Sequence, residues 1–550
     1  MSIIKTIRTI RHLKTSQVTG QIRNRLRPFW ENPGRCLQTP VPDSEVCHWR
    51  SDTSFLAPGV QGNAAESIRE GHFSFLNREE SIGWPPADWD ISEFPKLWQY
   101  NLHYFEWLWA LDYELVREGI LDWLARHTLA KGRVGWEPYP TSLRLMNWCG
   151  VCFGKFREEI EADEDFAREL WRSIFVQTKW LCKHLETHLL GNHLFENGAA
   201  LAFVGSCFSG KAGQDWLNKG LEILKTEVSE QILPDGMHFE RSPMYHVRMT
   251  YLLRLLRETG SEELKKLVEA PLAQMRTALA HLCHPDGQIA LFNDSAFSIY
   301  NEPSDLLDPE LTMAPGPWAL PDAGYYGFRS TEGSYIICDA GPIGPDYIPG
   351  HSHGDLFSFE LSLKGQRVIV DSGVYDYVPD EMRRYCRSTG AHNTVEIEEQ
   401  DQCEFWSAFR VARRGYPRDV QWEQTLDGFR LSSWHDGYQR LPGRPTHHRT
   451  LVWDSSKGLE VRDRIKARRT VNAVSRLHLH PACRIMRSGE RDALVEYPEG
   501  GFQVTFTGQG ELFREESFYC PEFGRKESNV VLAFKFNGKE AETAFNIVSQ

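Results

Sequence analysis

The sequence predicts an α+β multidomain chain: an N-terminal α/α toroid followed by a C-terminal antiparallel β-sandwich. Apolar residues recur at helical spacing from about residue 100 to about residue 310, and from about residue 320 the period falls to two. Length adds a third observation, because 550 residues exceed one ordinary core. Residues 1–95 read as a basic helix and an extended arm, 96–315 as the toroid and 316–550 as the sandwich.

The elements follow in chain order. Residues 1–30 hold Lys5, Arg8, Arg11, Lys14, Arg23, Arg25 and Arg27 and no acidic residue, with Ile3, Ile7, Ile10 and Leu13 at helical spacing. A basic amphipathic helix of this kind suits peripheral contact with an anionic membrane surface. A partner-docking arm, or a helix packed on its own domain, is the alternative. Residues 31–95 are rich in Pro, Gly and Ser and read as an arm. His103–His127 is expected as one helix, carrying Phe105, Leu108, Leu111, Leu115, Ile120 and Leu124. Helices are also expected over Ser142–Phe156, Ala167–Leu189, Gln214–Gln231, Met244–Thr259 and Glu262–Cys283. The loops between them are rich in aromatic and polar groups, and helical hairpins stacked in a ring fit this alternation. Tyr335–Asp339, Leu356–Leu363, Arg367–Asp371, Thr394–Glu398, Phe429–Ser433, Arg449–Trp453, Leu459–Ile465 and Gly501–Thr507 read as strands separated by turn signals.

Composition narrows the function. A net charge of −13 argues against broad nucleic-acid binding, which needs a basic footprint. It leaves open an acidic substrate held by a local cluster of Arg and His. The 18 Trp and 18 Tyr offer faces for stacking on sugar rings, Trp136 among them, although core filling is the commoner use. The twelve cysteines are dispersed, and Cys149-Gly-Val-Cys152 follows a helical pattern, so reduced thiols in a cytoplasmic setting are expected. No apolar run of about 18 residues is present, and the N-terminus lacks a secretory pattern.

Three segments carry chemistry. His351-Ser-His353-Gly-Asp355, then Asp371-Ser-Gly, then Ala-His392-Asn-Thr crowd imidazoles and a carboxylate into strand-like sequence. His353, Asp371 and His392 could converge on one divalent cation, zinc by donor type. The alternative is a set of strand-end histidines with no metal. If residues 351 and 353 share a strand face, one can bind metal while the other turns to a cleft. In Gly191-Asn192-His193-Leu-Phe-Glu196-Asn-Gly198 an amide, an imidazole and a carboxylate open a helix, although Asn192 could be a simple N-cap. In Asp235-Gly-Met-His238-Phe-Glu240-Arg241-Ser-Pro243-Met-Tyr245-His246, Pro243 marks a helix start and places Tyr245 at its mouth. Arg241, His246 and Arg248 are near enough in sequence to lower the phenol pKa. Arg387 adds a cation for a substrate carboxylate.

Together with Trp136-Glu-Pro-Tyr-Pro-Thr-Ser-Leu-Arg-Leu-Met-Asn-Trp148, these segments resemble the heparinase II/III-type polysaccharide lyases, a group that includes related alginate lyases. The resemblance spans roughly residues 95–480. It implies a toroid followed by antiparallel sheets and β-elimination at a uronic acid within an acidic polysaccharide. Under it, Asn192 and His193 neutralise the uronate carboxylate. Tyr245 is the acid and a candidate base, and His351 is the other proton-transfer group. Glu196 supports the cleft, and His353, Asp371 and His392 hold a structural ion. Some relatives use a second tyrosine from the sheet domain, for which Tyr375, Tyr377 and Tyr385 are candidates. Such lyases usually carry export signals. Their lack in this sequence, with the basic N-terminus, suits work beside the inner face of a membrane, with machinery that builds or exports a polysaccharide.

Three alternatives use the same residues differently. A uronyl carbon-5 epimerase needs the same carbanion. A glycoside hydrolase would draw paired carboxylates from Asp235, Glu240 and Glu196. A non-catalytic glycan-binding protein would retain the cleft without turnover.

Overall fold

Two short helices, α1 (Ile3–Ile10) and α2 (Thr15–Leu26), open the computed structural model, which describes residues 3–27, 57–59, 63–129 and 132–550. Residues 31–56 and 60–62 of the expected arm therefore lie outside the described residues. From residue 63 a short helix, Ala65–Arg69, and a hairpin of His72–Phe75 with Arg78–Ser81 lead into the helical region.

That region comprises α3 (Lys96–Tyr104), α4 (Tyr113–Arg126), α5 (Pro138–Cys149), α6 (Glu164–Lys183), α7 (Gly191–Cys207), α8 (Lys211–Gln231), α9 (Pro243–Arg257) and α10 (Glu262–Leu282). The single helix expected over His103–His127 is broken. Phe105 takes a left-handed φ of 61°, a 3-10 turn covers Glu106–Ala110, and the helix restarts where the Asp112 side chain accepts the Leu115 N–H at 3.1 Å. Apolar spacing persists through the break because Phe105 stays in the core, its ring 5.0 Å from Trp107 and 5.3 Å from Trp148. Packing there outweighs the local cost of the left-handed backbone.

α7 is buried along its whole length except at His193. It forms a hairpin with α8 through two glycines at the crossing. A Cβ on Gly205 would stand 2.3 Å from the Leu217 nitrogen, and one on Gly220 would stand 2.4 Å from that of Ala202. The helices approach this closely only without those side chains.

The C-terminal part is built on two large antiparallel sheets and also holds a two-stranded ladder of Phe405–Trp406 with Arg410–Val411. The first is a meander of β1 (Gly316–Leu320), β2 (Tyr325–Arg329), β3 (Tyr335–Asp339), β4 (Phe359–Leu363) and β5 (Gln366–Ile369). The second has ten strands, with Gly458–His478 and Arg525–Ser549 paired at its centre. Phe328, Ile336, Cys338, Phe359 and Leu361 of the meander meet Val461, Ile465, Phe534 and Phe545 between the sheets. On its other face Tyr335 and Ile337 meet Met237, Ala278 and Leu282 from the helical region. Successive residues of β3 thus enter two different cores, so every residue in the strand is buried. The meander is the shared wall that fixes helical and sheet parts together, as expected for a toroid followed by a sandwich.

A buried ion pair pins the sheet loops. Asp463 accepts from Arg449 Nε at 2.7 Å, Arg449 Nη2 at 2.8 Å and Ser475 Oγ at 3.0 Å, with His447 Nε2 at 2.7 Å. Arg449 Nη1 donates to the carbonyls of Phe357 at 2.9 Å and Asn393 at 2.6 Å. Asp463→Ala leaves a buried guanidinium uncompensated and should cost about 3–5 kcal/mol in denaturant unfolding. Glu460→Ala, which breaks an exposed pair with Arg462, should change stability by less than about 1 kcal/mol.

Candidate functional site

The site lies where the start of α7 and the start of α9 meet loops of the first sheet. Gly191, with φ of 57°, makes the approach possible, since a Cβ there would meet Ile348 Cδ1 at 2.5 Å and Glu240 Oε1 at 2.8 Å. Asn192 donates its backbone N–H to Glu240 Oε1 at 3.2 Å. Its side-chain amide makes no hydrogen bond to a described residue, so it is not capping the helix. His193 places Nδ1 3.0 Å from Glu186 Oε1 and packs its ring 4.6 Å from that of Tyr139. Burial opposes a charge on His193, but the Glu186 carboxylate, helped by Glu240 and Glu196, raises its pKa above the usual value.

Tyr245 stands in the first turn of α9. Ser242 caps that helix by accepting the Tyr245 N–H at 3.3 Å, and Pro243 follows the cap. The Tyr245 hydroxyl is 3.1 Å from the Tyr377 hydroxyl, and its ring lies 4.0 Å from the His351 ring. The sequence placed three cations near this phenol, but none faces it. Arg241 spends its guanidinium on the carbonyls of Ala323, Phe239 and Asp322. His246 sits between the His238 N–H and the Met275 carbonyl, and Arg248 grips Glu196. Burial, then the neighbouring Tyr377 and Tyr300, instead push the Tyr245 pKa well above its ordinary value. Tyr245 is therefore held as a neutral phenol, a proton donor.

His351 and His353 lie in the loop between β3 and β4, not on a strand, so strand alternation does not separate them. One carboxylate does. Asp294 Oδ2 is 2.8 Å from His351 Nδ1, and Asp294 Oδ1 is 2.8 Å from His353 Nε2. Arg383, on α11 (Glu381–Arg387), donates from both terminal nitrogens to the same carboxylate. Burial opposes ionisation, but Arg383 and the two histidines hold the Asp294 carboxyl well below the usual range. With Nδ1 committed to Asp294, His351 directs Nε2 toward Glu240 Oε2 at 3.5 Å. Glu240 thus touches both walls, Asn192 on one side and His351 on the other.

His353, Asp371 and His392 bring one ligand atom each within 4.8 Å of one another, all fully buried. His392 Nδ1 pairs with Asp371 Oδ2 at 2.8 Å. His353 Nδ1 and His392 Nε2 are buried without a hydrogen-bond partner, as is Asp355 Oδ1. Two orphaned imidazole nitrogens beside buried carboxylates fit a divalent cation of the zinc class. A second donor group, Asp90, His103 and His127, occupies the helical core. Arg133 Nε already lies 3.1 Å from Asp90, and burial together with Arg144 depresses His103 to about 3. Positive charge is supplied there by arginines, which opposes a cation.

Several residues expected at the cleft belong to the frame. Glu196 is fully buried and bound by Arg248 through Nε at 2.6 Å and Nη2 at 3.2 Å. Arg387 donates to the carbonyls of Ser352, Ser407 and Ala408 and stacks on Phe405. Trp136 is core, with Nε1 on the His127 carbonyl and its ring beside Trp123. Arg241 and His246 are likewise tied to backbone groups. Of the three sheet tyrosines Tyr377 reaches Tyr245, whereas the Tyr385 hydroxyl binds the Phe518 carbonyl. The sequence reading did not single out Glu186, Asp294 or Arg383. Asn293-Asp294-Ser295, a polar step inside Ile-Ala-Leu-Phe and Ala-Phe, was the available signal for Asp294.

Fold and site together define a toroid-plus-sandwich protein in which His, Asn and Tyr side chains gather where the helical region meets loops of the first sheet. Residues 72–305 match the Heparinase II/III N-terminus, and residues 312–548 match Heparinase II/III-like, C-terminal. The chain belongs to the heparinase II/III-like family. It is 26% identical over 379 residues to the heparin-sulfate lyase of Pedobacter heparinus, a match covering 60% of this chain and 56% of that protein. It is 24% identical over 332 residues to FtsZ-localized protein C of Caulobacter vibrioides, covering 55% and 56%. The chain thus spans little more than half the length of these relatives. A solved heparan sulfate lyase from Pedobacter heparinus shares the fold, with a TM-score of 0.63, 19% identity, and coverage of 97% of this chain and 87% of that one.

The Glu186–His193 contact gives a direct test. Glu186→Gln removes the largest influence that raises the His193 pKa, so the midpoint of His193 in an NMR histidine titration should fall. The sign for stability follows. A raised folded pKa contributes stability below the unfolded value near 6.5 that is lost as pH rises through the folded value. The variant should lose stability mainly on the acid side.

Proposed function

We propose that this chain is a polysaccharide lyase that cleaves a uronic-acid-containing acidic glycan by β-elimination. The observation that carries the reading is the Tyr245–His351 pair, a phenol kept neutral by burial against an imidazole whose Nδ1 is committed to Asp294. The relatives named heparin-sulfate lyase support the reaction class.

In this reading the Asn192 amide and the His193 imidazolium meet the uronate carboxylate and withdraw charge from it, which acidifies the hydrogen on sugar carbon 5. His351 Nε2 takes that proton. The C5–H electron pair becomes the C4–C5 double bond, the C4–O4 bond breaks, and the Tyr245 hydroxyl protonates the departing oxygen. Asp294 keeps His351 in the tautomer with Nε2 free to accept. Tyr377 is the neighbour through which the Tyr245 hydroxyl is aimed. His353, Asp371 and His392 would hold a divalent ion, zinc by donor set, whose contribution is to fix the loop that presents His351. Association with polysaccharide building or export is part of the same proposal, since the N-terminal helices suit a membrane-side setting.

Incubation with alginate, heparosan, chondroitin or hyaluronan should yield the ultraviolet absorbance of a conjugated enoate on one of them. Tyr245→Phe should lower kcat by about a hundredfold or more. Solvent deuterium entering carbon 5 without the chromophore would reject the lyase in favour of the epimerase. Binding without turnover on every acidic glycan would leave a glycan-binding protein.

Metal analysis of the purified chain should find one divalent ion per protein, lost in His392→Ala. Full metal content in that variant would refute the ligand assignment.

A further inference from the structure

The two N-terminal helices are docked the wrong way round for helices of a soluble protein. A surface helix normally turns its apolar stripe to the core and its polar face to water. In α1 the side chains of Ile3, Ile4, Ile7 and Ile10 are exposed, while Lys5, Arg8 and Thr9 face the body. Arg8 Nη1 bonds Glu404 at 2.9 Å, and Thr9 Oγ1 contacts the Val411 carbonyl and the Trp406 indole. In α2 the buried face is Gln17 and Gly20, and Val18, Ile22 and Leu26, spaced four residues apart, point outward. Gln17 Nε2 donates to the Tyr347 carbonyl at 3.1 Å and the Leu189 carbonyl at 3.4 Å. Asn24 Nδ2 lies 2.9 Å from His188 Nδ1, and Lys14 pairs with Glu230 and covers the Tyr347 ring. A Cβ on Gly20 would strike His188 Cβ at 2.9 Å, so the packing is close.

The outcome is a row of aliphatic side chains turned away from the protein. These seven residues make up half of the exposed large hydrophobic side chains among the described residues. Leaving them in water forfeits burial that each could gain elsewhere. Charge says what covers them. Residues 3–27 contain no Asp or Glu, and the exposed Arg11, Arg23 and Arg25 flank the stripe on a chain whose net charge is −13. A rim of three exposed arginines around an aliphatic stripe matches a surface of anionic headgroups over hydrocarbon.

We infer that α1 and α2 form an interfacial membrane anchor, the aliphatic stripe entering the acyl boundary of an anionic bilayer and Arg11, Arg23 and Arg25 lying at its headgroups. No described helix is long and apolar enough to cross a membrane, so this contact is monotopic. Gln17 bridges the segments that lead to Asn192 and to His351, so the anchor is tied to the backbone that carries both residues. The inference does not depend on the reaction proposed above.

Co-sedimentation of the full chain with phosphatidylcholine vesicles, with and without phosphatidylglycerol, tests it. Wild type should pellet with the phosphatidylglycerol-containing vesicles, pellet less with phosphatidylcholine alone, and be released by salt. The Ile4→Ser/Ile7→Ser variant should bind at least about tenfold more weakly, with an unchanged melting temperature because neither side chain packs on the body. Should that variant misfold, Arg23→Gln/Arg25→Gln supplies the second reading, with weakened binding to anionic vesicles only. Failure of wild type to pellet with either vesicle overturns the inference, as does binding that none of these changes affects. So does a dimer in sedimentation velocity that Ile4→Ser/Ile7→Ser splits, which would give the stripe to a second copy of the chain.

Discussion

Asp294 is the carboxylate around which the site is organised. It leaves the helical region on the segment running into the first sheet, and both of its oxygens are spent. One orients His351, the other orients His353, and Arg383 neutralises the pair from α11. A fully buried carboxylate is tolerable only when paired and hydrogen-bonded, and this one is satisfied from two separate segments, the loop of His351 and His353 and the helix of Arg383. Removing Arg383 leaves the buried carboxylate without its countercharge, and removing either histidine takes away one of its donors, so the loop with both histidines, the connection from the helical region and α11 depend on one another.

That arrangement also separates two neighbouring imidazoles by role. His351 gives Nδ1 to Asp294 and keeps Nε2 for Glu240 and the cleft, whereas His353 gives Nε2 and keeps Nδ1 for the group it forms with Asp371 and His392. The split does not come from strand alternation, since neither residue is on a strand. It comes from which nitrogen the shared carboxylate claims, so two histidines two positions apart present different nitrogens to different neighbours.

The architecture was legible in the sequence because it is written in local periodicity. The shift from a period of 3.6 to a period of two falls between α10 and β1, and Pro243 and Gly191 mark real element starts. The site was legible only in part. Tyr245, His351, His193 and Asn192 were picked out by type, and the fold gathers them in one neighbourhood around Glu240. Their electrostatics were not legible, because sequence distance is a poor guide to which charge faces which group. Arg241 and Arg248 are three or four residues from Tyr245 and turn away from it, while Glu186 and Asp294 act on residues 7 and 57 positions distant. Glu196 lies in the same motif as Asn192, yet one helical turn carries it into the core, where Arg248 claims it.

The same reasoning explains why Glu240 is better placed than Glu196 to matter in the cleft. Both carboxylates are buried, but Glu196 meets a guanidinium in a closed two-point contact and has nothing left to offer. Glu240 has no such partner. One oxygen takes the Asn192 N–H, and the other is buried without a hydrogen bond, 3.5 Å from His351. Burial raises its pKa, so the carboxyl costs least to bury as the neutral acid. An incompletely satisfied polar group survives in a protein interior when something else requires it. Here it lies between the segments that carry Asn192 and His351, and the two cleft walls keep their spacing through it.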